Sequence, residues 1–96
     1  MEVLISTAAR NDLRAIARYI AVDNPTMAAK FVSVLETGCL ELTEHPLRYA
    51  LLPNLEGLGY RRRPLGNYAI IYAAGRDIKI VLVLHSAMDM ASLLYS

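Results

Sequence analysis

"GLGYRRRPLGNYAIIYAAGRDIKIVLVLH" runs from Gly57 to His85, and from Tyr60 on the helical period of the upstream chain gives way to a strand-like composition. Three runs rich in Tyr, Ile and Val read as strands: Tyr60–Pro64, Asn67–Ala73 and Ile78–His85. "PLGN" (Pro64–Asn67) and "AGRD" (Ala74–Asp77) carry the turn residues between them. Connections this short join antiparallel neighbours, so the three strands form a meander. The stretch also places three arginines, Arg61, Arg62 and Arg63, at the head of its first strand. Neighbours on a strand point to opposite faces. Arg61 and Arg63 therefore share one face, and Arg62 joins Tyr60 on the other.

Upstream the period changes. "EVLIS" (Glu2–Ser6) reads as a short first strand. Ala9, Leu13, Ile16, Ala17 and Ile20 then fall on one stripe of a helix, with Ser6 or Thr7 available as its N-cap. Asn24 before Pro25 ends that helix and starts the next, because Asn caps well and Pro suits the first helical position. Ala28, Phe31, Val32, Leu35, Cys39 and Leu42 give the second helix its apolar spacing up to His45–Pro46. His45–Gly59 has two prolines, two glycines and no period, and reads as a loop.

The order β-α-α-β-β-β predicts a two-layer α+β domain over residues 1–96, with a helical hairpin on one face of a mainly antiparallel four-stranded sheet. The opposite face is then open. The tail, "SAMDMASLLYS", either adds a short helix or stays loose.

Composition narrows the function. The chain has 96 residues, 55% of them hydrophobic and 20% charged, which is rich in apolar residues for a domain with so much surface. Excess apolar surface points to a partner protein. The formal net charge is +1, against the strong basicity of proteins that live by gripping nucleic acid. The single Cys39 permits no internal disulfide and suits a small buried position. No apolar run approaches the ~20 residues that span a membrane. "MEVLIS" does not resemble a signal peptide, so a reduced cytoplasmic setting fits. No zinc spacing, phosphate loop or nucleophile elbow occurs, and neither a metal nor a cofactor is expected.

The candidate residues each have two readings. The arginines are either a solvated edge that discourages aggregation or a functional surface. On the helix-covered face, they must reach the sheet margin or find a carboxylate. His85 ends "IVLVL" and can serve as a general acid or simply terminate a strand. Glu56, Arg63 and His85 would supply a base, an electrophile and an acid if they converged, the parts that RNA cleavage needs. Tyr68 and Tyr72 either stack bases or pack with their polar tips satisfied. Asp12 and Asp89 read as surface residues.

The pieces "A-x-x-D-L-x-x-I-A-x-Y-I" (Ala9–Ile20), "N-P" with "A-x-x-F" (Asn24–Phe31), "L-x-x-H-P" (Leu42–Pro46), "G-Y-R-R-R-P-L-G-N-Y-x-I-I-Y" (Gly59–Tyr72) and "I-x-I-V-x-V-L-H" ahead of Asp89 together resemble the ParE branch of the RelE/ParE superfamily. These are the toxins of bacterial type II toxin–antitoxin modules. The resemblance implies a gyrase poison, held inactive by a ParD-like antitoxin that carries the DNA-binding part. It implies Arg61, Arg62, Arg63 and His85 as the target-binding surface. The RelE branch implies instead a ribosome-dependent mRNA endonuclease using Glu56, Arg63 and His85, and an inactive antitoxin-binding module is a third reading. The near-zero charge favours the ParE branch, since holding RNA on a ribosome needs a basic surface. Leu82-Val83 and Met88 stand where ParE-like sequences often carry arginine.

Overall fold

The computed structural model describes residues 1–85. The tail and Asp89 lie outside them. Strand β1 (Val3–Ile5) leads into helices α1 (Thr7–Asp23) and α2 (Pro25–Leu40), and strands β2 (Tyr60–Leu65), β3 (Tyr68–Ala74) and β4 (Ile78–His85) follow. The sheet order is β1-β4-β3-β2. β2, β3 and β4 form the antiparallel meander, while β1 returns parallel to β4 at the far edge.

Local chemistry sets the helix boundaries. The Ser6 hydroxyl accepts from the Ala9 N–H and caps α1. Asn24 closes α1 with its backbone N–H and opens α2 with its side chain, which accepts from the Met27 N–H. Pro25 takes the first position of α2, where a missing N–H costs nothing. The second helix stops earlier than its apolar spacing predicts. A 3-10 turn, Glu41–Thr43, continues it just far enough to bury Leu42. Gly66 supplies the φ of 61° that the tight β2–β3 hairpin needs.

The hairpin covers one face of the sheet. Ala9, Leu13, Leu35, Cys39 and Leu42 pack there on Ile70, Tyr72, Ile78, Ile80 and Val83. The opposite face is not open as the sequence suggests. Leu52 and Leu55, from the segment between α2 and β2, bury themselves there with Ala69, Ile71 and Leu84. The reason is apolar content: this irregular segment carries leucines that strands β3 and β4 can shelter. Its backbone also joins the sheet. Leu51 bridges Arg61, the Arg62 N–H donates to the Ala50 carbonyl, and the Leu52 N–H donates to the Tyr60 carbonyl.

Strand β4 carries a bulge. Ile71 pairs with Leu82 and Tyr72 with Ile80, leaving Val81 as the extra residue. Strict alternation would put Ile78 and Val83 on opposite faces. The bulge brings Ile78, Ile80 and Val83 to the same one, and with them His85.

Candidate functional site

The three arginines separate as alternation requires. Arg61 and Arg63 lie opposite Tyr72 and Ile70 on the helix-covered side, and Arg62 lies opposite Ile71 on the other. Because β2 is an edge strand, the covered pair escapes burial by reaching along the sheet margin. The Arg63 guanidinium donates to the carbonyl of Gly38, near the end of α2, and to Glu41 Oε1 at 3.1 Å. It also lies over the Tyr49 ring, 5.4 Å from its centroid. Gly38 is buried, and a Cβ there would come within 2.9 Å of Leu65 Cδ2. Arg61 donates to the carbonyl of Tyr49 at 2.7 Å and more loosely to that of Leu47 at 3.4 Å. The Tyr72 hydroxyl, on the same side, donates to the Pro46 carbonyl at 2.8 Å. Three side chains from β2 and β3 thus tie down residues 46–49 and the end of α2. Tyr72 is fully buried, so its ring is a packing surface and cannot stack a base.

Arg62 is placed differently. With Arg48 it lines an open groove of about 400 Å³ whose other walls include Tyr49, Leu51, Pro53 and Pro64. Arg48 lies over the Tyr49 ring at 5.5 Å. The side chain of Arg62 makes no ion pair or hydrogen bond among the described residues.

His85 ends β4, two strands across from β2 and in register with Tyr68. Its ring meets Tyr68 edge-on at 5.4 Å, and Tyr68 meets Phe31 of α2 at 4.9 Å. A cleft of about 500 Å³ opens here, lined by Asp12, Ile16, Tyr19, Asn67, Tyr68 and His85.

Asp12 is not the surface residue its charge suggests. Its carboxylate is half-buried and accepts from the Val83 N–H at 2.9 Å. The Ser6 hydroxyl donates to the Val81 carbonyl at 2.8 Å. Strand β1 ends at Ile5, so these two side chains serve the bulged edge of β4 that β1 is too short to reach. Burial raises the Asp12 carboxyl above the ordinary carboxylate value, and the Val83 bond offsets part of that. Burial likewise pushes the Cys39 thiol up to about 11, leaving it inert at neutral pH.

Glu56, Arg63 and His85 do not converge. Glu56 opens a 3-10 turn, Glu56–Leu58, beside Leu55 in the segment covering the loop side. Arg63 works on the helix side and takes Glu41 as its carboxylate. His85 belongs to the aromatic cluster with Tyr68. Sequence reasoning missed Arg48, Glu41 and the buried role of Asp12. Only the last left a signal, because Asp12 follows Ala9 by three and precedes Ile16 by four, which puts it on the buried stripe of α1.

Solved structures share this fold. A chain of the chromosomal ParDE toxin–antitoxin system from P. aeruginosa is similar at 24% identity and a TM-score of 0.74, over 88% of this chain and 95% of that one. A chain of the toxin–antitoxin complex RelBE2 from Mycobacterium tuberculosis is similar at 25% identity and a TM-score of 0.61, with the same shares covered. No curated protein matches the sequence. The family described as the ParE toxin of the type II toxin-antitoxin system parDE matches residues 3–90. With nearly its whole length matched, the chain belongs to the ParE toxin family of type II toxin–antitoxin systems.

Proposed function

We propose that this toxin arrests growth in the bacterial cytoplasm by binding DNA gyrase, with no chemistry or cofactor of its own, and that a cognate ParD-like antitoxin neutralises it. The observation that carries the reading is the family match across residues 3–90, which spans both helices and all four strands. The two solved relatives are described as toxin–antitoxin assemblies, which supports an antitoxin partner. The net charge of +1 fits a toxin that acts on a protein rather than along a nucleic acid.

The target-binding surface assigned to Arg61, Arg62, Arg63 and His85 divides by role. Arg62 faces outward and touches the target. Arg61 and Arg63 act from the edge of β2, where they also hold residues 46–49 in place. His85 lies on the helix-covered side, two strands across from β2. The endonuclease reading has less support, because Glu56, Arg63 and His85 stand apart and Arg63 is already engaged by Glu41.

The test is a plasmid assay with purified gyrase, ATP and the toxin freed of antitoxin. Toxin-dependent linear DNA after detergent and protease treatment is the expected result, and Arg62→Glu should abolish it while antitoxin binding survives. A folded toxin without effect on gyrase would overturn the reading and direct attention to mRNA cleavage on stalled ribosomes. In cells, expression alone should stop growth, and the neighbouring small open reading frame should restore it.

A further inference from the structure

We propose that the groove beside β2 docks an acidic, extended segment of a partner protein, with Arg48 and Arg62 pairing its carboxylates and Tyr49, Leu51, Pro53 and Pro64 taking its apolar side chains. The proposal rests on reading Arg62 as a target-facing residue, and it adds the chemistry of what is faced.

Charge complementarity carries the argument. Two arginines line the groove and none of its lining residues is a carboxylate; the carboxylates near Arg48, Glu41 and Glu44, lie in the adjoining hollow with Arg63. Arg62 is half-buried and has no side-chain partner among the described residues, unlike Arg61 and Arg63 on either side. Partial burial lowers the local dielectric, so a carboxylate arriving there gains more than at an open surface. A guanidinium also offers a planar fork that matches a carboxylate.

The backbone contributes little to recognition. The Arg62 N–H already serves Ala50, the Leu52 N–H already serves Tyr60, and Pro64 has no N–H to offer. A ligand strand finds no ladder there, so the side chains must select it. Nucleic acid fits less well. Its affinity grows with the number of phosphates neutralised, and this groove supplies two cations between proline and leucine walls.

The experiment titrates the full-length toxin with a synthetic peptide alternating glutamate and leucine, with its glutamine counterpart, and with a single-stranded oligothymidylate. Binding is followed by NMR through the Nε–H signals of Arg48 and Arg62. The proposal expects saturable shifts with the glutamate peptide, weakened about tenfold or more by Arg62→Glu and by Arg48→Glu, each shown to be folded by circular dichroism. Equal binding of the glutamine peptide, binding unmoved by either reversal, or preference for the oligonucleotide would overturn it. The gyrase assay is run on the same samples. Lost peptide selectivity with an intact, Arg62-dependent gyrase effect defeats this proposal alone. Selective peptide binding by a toxin with no effect on gyrase supports this proposal and defeats the choice of target.

Discussion

Arg63 engages two acceptors of unequal worth. Glu41 is half-exposed, and ion pairs at such sites contribute ~0–1 kcal/mol. The Gly38 carbonyl is near the helix end in a buried position, and a hydrogen bond from a charged donor there is worth about 1.5–3 kcal/mol. Arg63→Ala should therefore lower the unfolding free energy by about 2–3 kcal/mol, and Glu41→Gln by under ~1 kcal/mol, both read from urea denaturation. Arg63→Lys should resemble the alanine variant more than the parent. A single ammonium cannot hold Gly38 and Glu41 in one fork while lying over Tyr49. Equal losses for Arg63→Ala and Glu41→Gln would show that the ion pair, not the carbonyl, holds Arg63.

At the scale of elements, α1 is fastened to β4 through Asp12 and Ser6. Burial raises the Asp12 carboxyl, so the fold favours its protonated form relative to the unfolded chain. That contribution is complete below the ordinary carboxylate value of 3.8 and is lost as pH rises through the raised one. Asp12→Asn keeps an acceptor for the Val83 N–H but removes the titration. It should match or exceed the parent near neutral pH and flatten the change in stability on the acid side. Asp12→Ala orphans the Val83 N–H and should cost ~1–2 kcal/mol. Denaturation midpoints of the three proteins across this pH range decide the matter. These contacts are long-range, and local sequence does not specify them. Strands β2 to β4, both helices and the double duty of Asn24 were legible because periodicity and capping are local. The separation of Arg62 from Arg61 and Arg63 was legible from alternation. What Arg63 and Asp12 bind was not, since Gly38 and Val83 lie 25 and 71 residues away and nothing local specifies them. The bulge at Val81 was hidden for the same reason, because every residue of "IVLVL" suits either face.

The whole molecule has apolar clusters on both faces of one sheet, which the two-layer expectation did not include. Leu35 of α2 and Leu52 of the irregular segment are both almost completely buried. If the second cluster is a packed core rather than a loose cover, Leu52→Ala should cost about as much as Leu35→Ala, in the range of ~2–5 kcal/mol. A Leu52→Ala loss below about 1 kcal/mol, measured by the same denaturation, would show that the segment peels away before the sheet unfolds. The sequence hid this layer because His45–Gly59 has no period, and apolar residues without a period do not announce which surface they cover.

The way this sheet ends bears on self-association. Exposed strand margins are templates on which identical chains can stack into fibrils. Here residues 50–52 occupy part of the β2 margin and Pro64 removes a donor from the rest. Ser6 and Asp12 occupy the margin of β4 past the last residue of β1. Within the described residues, only three-residue β1 offers an unshielded margin, too short to seed growth. Edge-to-edge stacking of copies through these strand margins is therefore blocked on both sides of the sheet.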